Sequence, residues 1–179
     1  MRIRSCILLG LLLAAANGLS ADGLYRVTDL GMQAGVYTYG YGINNAGQVT
    51  GYFFTSFSGP THAFLYTDGQ LADLGTLGGL NSYGYSVNDS GQVVGYSSTR
   101  TVSARGFIYM DGQMMDLGTL GGATTYAYGI NNRGQVVGGS DTSTGSSDAF
   151  TYCDGQMIDL GTLGGNSSSG RGINNEGQV

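Results

Sequence analysis

The sequence predicts an all-β chain built from repeated four-stranded units of about 43 residues, in the manner of a partial β-propeller, with a β-solenoid or an open β-array as the alternatives. Three observations lead there. Glycine supplies 34 of 179 residues, lysine is absent and charged residues are 11% of the chain, so the material for surface helices is missing. The string Asp-Leu-Gly-Thr-Leu-Gly-Gly begins at Asp73, Asp116 and Asp159, with a weaker copy from Asp29. A second string, Asn-[Asn/Asp]-x-Gly-Gln-Val, opens at Asn44, Asn88, Asn131 and Asn174, always fifteen residues after those aspartates.

Residues 1–21 have the order of a secretory signal: Arg2 and Arg4, an apolar run from Ile7 to Ala16, then small residues ending at Ala21, where cleavage is expected. That run is too short to span a bilayer, so no membrane span is expected and the mature protein should be exported and soluble, outside the cell, in the periplasm or at the cell surface. Cys6 leaves with the signal, and Cys153 then has no partner for an internal disulfide. It reads as a small strand residue. The remainder, 22–179, is the repeat domain: a partial first unit over 22–43, units starting near Asn44, Asn88 and Asn131, and an incomplete last unit from Asn174.

Within each unit the first hairpin is Tyr39-Gly40-Tyr41-Gly42-Ile43, a turn over Asn44–Gly47, and Gln48 onward; Asn first and Gly fourth suit a type I turn followed by a left-handed residue. Asp68-Gly69, Asp111-Gly112 and Asp154-Gly155 mark a second, two-residue turn. Tyr39 and Tyr41, Tyr83 and Tyr85, and Tyr126 and Tyr128 alternate with small residues, which predicts rings on one face and close sheet packing on the other. An aromatic platform for sugar rings is the functional alternative. The fourth copy has Ser169 and Arg171 instead. Length varies only in the connection spanning Phe53 to Thr61, Ser97 to Ala104 and Gly139 to Ser147, whose contents differ completely and which is the candidate binding surface.

His62-Ala63-Phe64, with Asp-Leu-Gly-Thr-Leu-Gly-Gly and Ile-Asn-Asn-x-Gly-Gln-Val-Val-Gly, resembles the HAF-repeat family of extracellular bacterial repeat proteins over residues 29–179. The triplet itself survives only at 62–64; the matching positions read Arg105-Gly106-Phe107 and Asp148-Ala149-Phe150. The resemblance implies secretion and a repeated β-architecture, and it carries no activity with it.

Chemistry is sparse. One histidine and one cysteine in the mature chain make no zinc site, and no Gly-x-Ser-x-Gly elbow accompanies His62, which reads as a loop-edge residue. Asp73, Asp116 and Asp159 recur at matching positions and read as turn-fixing residues that bond nearby backbone N–H groups. No Asp-x-Asp-x-Asp-Gly loop or Gly-Gly-x-Gly-x-Asp array signals calcium. Five arginines beyond the signal, Arg26, Arg100, Arg105, Arg133 and Arg171, face all 12 acids, which argues against nucleic acid as a partner. The expectation is therefore a secreted, non-enzymatic repeat protein with no catalytic, cofactor-binding or metal-binding residues and no cofactor. It would bind an extracellular polymer or protein through its variable loops. A propeller enzyme acting on polysaccharide and a structural stalk or passenger domain are the rivals. Ending at Gln178-Val179, inside a hairpin that earlier copies complete, the chain also reads as a fragment of a longer repeat protein, able to oligomerise through open edges.

Overall fold

The computed structural model describes residues 27–30, 37–102 and 104–179; the signal segment and its cleavage point lie outside them. Among the described residues, twelve strands form three antiparallel four-stranded sheets, each a simple meander. The first holds β1 (Thr38–Ile43), β2 (Val49–Phe54), β3 (Thr61–Thr67) and β4 (Gln70–Asp73). In the second are β5 (Ser82–Val87), β6 (Val93–Ser97), β7 (Arg105–Met110) and β8 (Gln113–Asp116). The third comprises β9 (Gly121–Ile130), β10 (Val136–Thr142), β11 (Ser147–Cys153) and β12 (Gln156–Gly161). Each sheet therefore starts one strand before its Asn-Asn turn, so β1 shares a sheet with residues beyond Asn44. Residues 165–179 begin a fourth unit as an extended segment with a turn at Asn175-Glu176.

The turns follow their chemistry. Gly47, Gly91, Gly134 and Gly177 have φ between +77° and +83°, the left-handed position that closes the first hairpin. Asp68, Asp111 and Asp154 at φ of 50–52° precede Gly69, Gly112 and Gly155 at 78–83°, two successive left-handed residues as a type I′ hairpin requires.

The core lies in layers between sheets. Ala63 and Leu74 of the first sheet pack on Val87, Val93 and Phe107 of the second. Val94, Ile108 and Leu117 of the second pack in turn on Ala127, Ile130, Val136 and Phe150 of the third. Val93 and Val94 are consecutive, point to opposite faces, and are both fully buried, because β6 has a sheet on either side. That is why the repeat reads Gln-Val-Val-Gly rather than alternating with polar residues. Phe64, Phe107 and Phe150 are likewise fully buried, one per unit.

Two sequence expectations need correction. His62 sits inside β3, not at a loop edge, because the ladder with β2 runs on to Phe54↔Thr61. The variable connections are shorter than the sequence comparison implied. Phe53 belongs to β2 and to a core cluster with Val49 and Phe64, and pairing Asp141↔Ser147 leaves only residues 143–146 as the third loop. The paired tyrosines do share a face: Tyr39 and Tyr41 both meet Tyr52, Tyr83 and Tyr85 both meet Tyr96, and Tyr126 stacks on Tyr128. Alternation alone does not describe the strands, however, since register shifts make Tyr41, Tyr85 and Tyr128 the extra residue of a β-bulge in each first hairpin.

Candidate functional site

A meander of four strands puts its first and third turns at one end and its second turn and exit at the other. The Asn-Asn and Asp-Gly turns thus share one end of each sheet. The variable connections and the Asp-Leu-Gly-Thr-Leu-Gly-Gly segments share the opposite end. Each end carries a concave surface.

At the first end the turns of successive units join in a ladder. Asn44 Nδ2 donates to the carbonyl of Asn88 at 2.8 Å, Asn88 Nδ2 to that of Asn131 at 3.1 Å, and Asn131 Nδ2 to that of Asn174 at 2.9 Å. A second rail runs beside it: the N–H groups of Asn45, Asp89 and Asn132 donate to the side chains of Asp89, Asn132 and Asn175, each at 2.9 Å. Each first Asn is itself fixed, its Oδ1 accepting two backbone N–H groups of its own turn, as Asn88 does from Ser90 and Gln92. The ladder borders a cavity of about 700 Å³ with an apolar floor of Ile43, Val87, Ile130 and Ile173 and a rim of carboxamides. Asp89 is the one acid in this lining. The Asn45 side chain, the Asn45 N–H and the Asn132 side chain all donate to its carboxylate and hold it below the usual carboxylate range. Such a rim can exchange hydrogen bonds with a ligand, but an ionised, thrice-bonded carboxylate is a poor proton donor.

Aromatic rings run from unit to unit along the same inner strands. Tyr39 stacks on Tyr52 at 4.9 Å, Tyr52 meets Tyr83 edge-on at 4.9 Å, Tyr83 stacks on Tyr96 at 4.8 Å, and Tyr96 meets Tyr126 at 5.0 Å. The bulge residues form a second row, with Tyr41–Tyr85 at 5.5 Å and Tyr85–Tyr128 at 5.6 Å. Arg171, in the position a fourth tyrosine would hold, places its guanidinium 4.0 Å over Tyr128. Rings so engaged with one another serve inter-unit packing. Burial, then the neighbouring Tyr41 hydroxyl, pushes the Tyr52 phenol up to about 12.

At the opposite end the repeated aspartates do what their recurrence predicts. Asp73, Asp116 and Asp159 accept the N–H of Gly75, Gly118 and Gly161 at 2.7–2.8 Å. Asp73 also holds the His62 imidazole at 2.9 Å, and Asp116 holds the Arg105 guanidinium at 3.1 Å. In the third unit the matching residue is Asp148, whose Oδ1 is buried without a hydrogen-bond partner. The hydroxyls of Ser82, Thr125 and Ser168 tie the same segments down by donating to the carbonyls of Gly75, Gly118 and Gly161. A groove of about 500 Å³ opens here between Gly78–Asn81 and Ser98–Val102, with Arg100 on its wall. Phe57, in the first variable loop, is 81% exposed. Among the described residues no three His, Cys, Asp or Glu side chains are grouped to hold a metal ion, and no helix is long and apolar enough to cross a membrane. Cys153 ends β11 with its thiol against Asp154.

Residues 26–120 match the family model described as a protein of unknown function, DUF3466, which covers the first two sheets. The chain belongs to that family. No curated protein and no solved structure matches it. Membership of DUF3466 therefore brings no activity to test against the geometry. The carboxamide-rimmed cavity is what sequence reading missed. The Asn-Asn/Asp pairs were visible, but their turn-forming role accounted for them fully until the units were seen side by side.

Proposed function

We propose that this DUF3466 protein is a secreted, non-enzymatic repeat scaffold of the HAF type, propeller-like in the succession of its sheets, that binds an extracellular polymer or protein through its variable loops. One observation supports this above others. The groups that could do acid–base chemistry are spent on repeated internal bonds, Asp73 on His62 and Gly75, Asp116 on Arg105 and Gly118. The residues that differ between units are gathered at one end, in 55–60, 98–102 and 143–146. A fixed frame with one varied surface is how a binding module is built. The loops offer unlike chemistry: exposed Phe57, cationic Arg100, and the hydroxyls of Thr142, Thr144 and Ser146 bonded to one another.

The test is retention of the exported protein on immobilised bacterial surface polysaccharides and on intact cells, beside a Phe57→Ala/Arg100→Ala variant. The reading expects the native chain to be held and the variant to be released, with identical circular dichroism. Equal retention of both would remove the loops from the account. Shortening of the polysaccharide with repeated turnover would replace a binding protein with an enzyme.

A further inference from the structure

At the variable-loop end the second unit holds an open groove where the third unit is closed. In the third unit β9 starts at Gly121, Leu120 bridges to Thr142, and a Cβ on Gly121 would meet Ser143 at 3.1 Å, so the two walls touch. In the second, β5 starts only at Ser82, open space lies over Gly78, and the walls stand apart around a volume of about 500 Å³. Clefts that take small ligands commonly measure about 300–1,000 Å³. The base of the groove is rigid. Gly79 N–H donates to the Ser98 carbonyl at 3.1 Å, Ser98 N–H donates to the Asn81 carbonyl at 2.8 Å, and a Cβ on Gly79 would collide with Ser98. The far wall is fixed too. Thr99 Oγ1 accepts the N–H groups of Thr101 and Val102 at 3.2 and 3.0 Å, which holds the turn that carries Arg100.

The groove offers donors and no negative charge. No acid lines it, although the chain has 12 acids against 7 basic residues. The third unit places Asp141 where the groove has Ser98, and spends it on the N–H and hydroxyl of Thr124. Among the described residues Arg105 is engaged with Asp116, Arg133 with Glu176 and Arg171 with Tyr128, while exposed Arg100 bonds to nothing. The Arg100 and Leu80 N–H groups also have no acceptor among those residues. Asn81 turns its Oδ1 to the N–H and hydroxyl of Thr61, which leaves its Nδ2 as a donor. The carbonyls of Gly79, Asn81, Ser98 and Val102, by contrast, already accept bonds. Leu80, 70% exposed, adds an apolar patch. We infer that this groove binds a uronate residue of an acidic polysaccharide. Arg100 takes the carboxylate, Asn81 and the free N–H groups take ring hydroxyls, and Leu80 covers the apolar face of the sugar ring. The inference rests on the reading that the loops bind, and it names what they bind. An acidic peptide would also bring a carboxylate, but its own N–H groups need acceptors, and the groove's carbonyls are occupied.

Isothermal titration calorimetry of the full chain with short oligogalacturonates and with their methyl esters tests this. The acid form should bind, and the ester, similar in shape but uncharged, should bind at least about tenfold more weakly. Arg100→Gln should weaken binding of the acid form by a similar factor. Arg133→Ala, an equal change of charge outside the groove, should leave it unaltered. Both arginines are exposed, so circular dichroism should be the same for all three chains. A short glutamate peptide should bind at least about tenfold more weakly than the uronate. Failure of the acid form to bind, equal binding of acid and ester, or equal loss in the two arginine variants overturns the inference. A glutamate peptide that binds as well as the uronate overturns it in favour of a peptide site. Loop-dependent retention on a neutral polysaccharide, without uronate binding, removes this ligand and leaves the binding reading standing. Retention on no polymer, neutral or acidic, removes both.

Discussion

At Gly134 the backbone stands at φ +79°, and a side chain with a branched β-carbon has no comfortable rotamer there. Gly134→Val should cost about 2 kcal/mol or more, beyond the roughly 1–2 kcal/mol that any L side chain meets in the left-handed region. Its neighbour Arg133 is exposed and makes only a 3.9 Å contact with Glu176, so Arg133→Ala should stay within about 0.5 kcal/mol. Denaturation midpoints compare the two, and equal midpoints would remove the turn assignment. Asp148 offers the opposite case. It occupies the place of His62 and Arg105, diagonal to an aspartate on the neighbouring strand, yet has no cation to offer and keeps one oxygen buried and unbonded. Asp148→Arg should stabilise the third sheet by about 0.5–1 kcal/mol, the worth of a partly exposed pair, seen as a higher midpoint; a lower one would mean that Asp148 has a partner of its own. The turn glycines and turn aspartates were legible because local backbone geometry dictates those residue types. The His62–Asp73 pair was not, since it joins β3 to β4 across a register that composition does not reveal.

Among elements, the first hairpins carry the continuous tyrosine rows, and their ionisation reports on packing. With the Tyr52 phenol pushed up to about 12 and those of Tyr85, Tyr96 and Tyr126 also raised, burial being the leading cause in each, the folded state favours the neutral form. Stability from this source is complete below the ordinary phenol value near 10 and is lost as pH rises from there toward the folded values. Phenolate absorbance should therefore show the Tyr52, Tyr85, Tyr96 and Tyr126 phenols delayed until the chain unfolds in alkali. A single transition near 10 for all of them would mean that the rows are open to water. Strand and hairpin positions were legible from the two repeated strings, because alternation and Asx-Gly turns are local signals. The bulges at Tyr41, Tyr85 and Tyr128 were not. A bulge is set by how the inner strand meets its neighbour, and the sequence around it still reads as plain alternation. The true loop ends were hidden for a related reason: differing residues at Phe53 or Gly139 look like loop drift, while pairing with β3 and β11 keeps them in strands.

The whole molecule is a series of like sheets that hand the same contacts forward. The all-β class, the four-stranded unit and the period of about 43 residues were all present in the spacing of the repeated strings. What spacing does not express is the bonding between units, because Asn44 and Asn88 are 44 residues apart in the chain and become neighbours only when the sheets pack. For the same reason the carboxamide-rimmed cavity is invisible in the sequence, although its rim is made of the Asn-Asn and Asn-Asp turns. The most direct test of this account is amide hydrogen exchange at the Asn-Asn turns. The N–H groups of Asn45, Asp89 and Asn132 lie at exposed turns, where isolated hairpins would leave them to water, but each donates across a unit junction at 2.9 Å. The account predicts that all three exchange at least about tenfold more slowly than the Gly69, Gly112 and Gly155 amides of the Asp-Gly turns at the same end, the protection expected of a junction that opens only when units separate. Exchange at the same rate in both sets of turns would contradict it, leaving three hairpin sheets without the ladder that joins them.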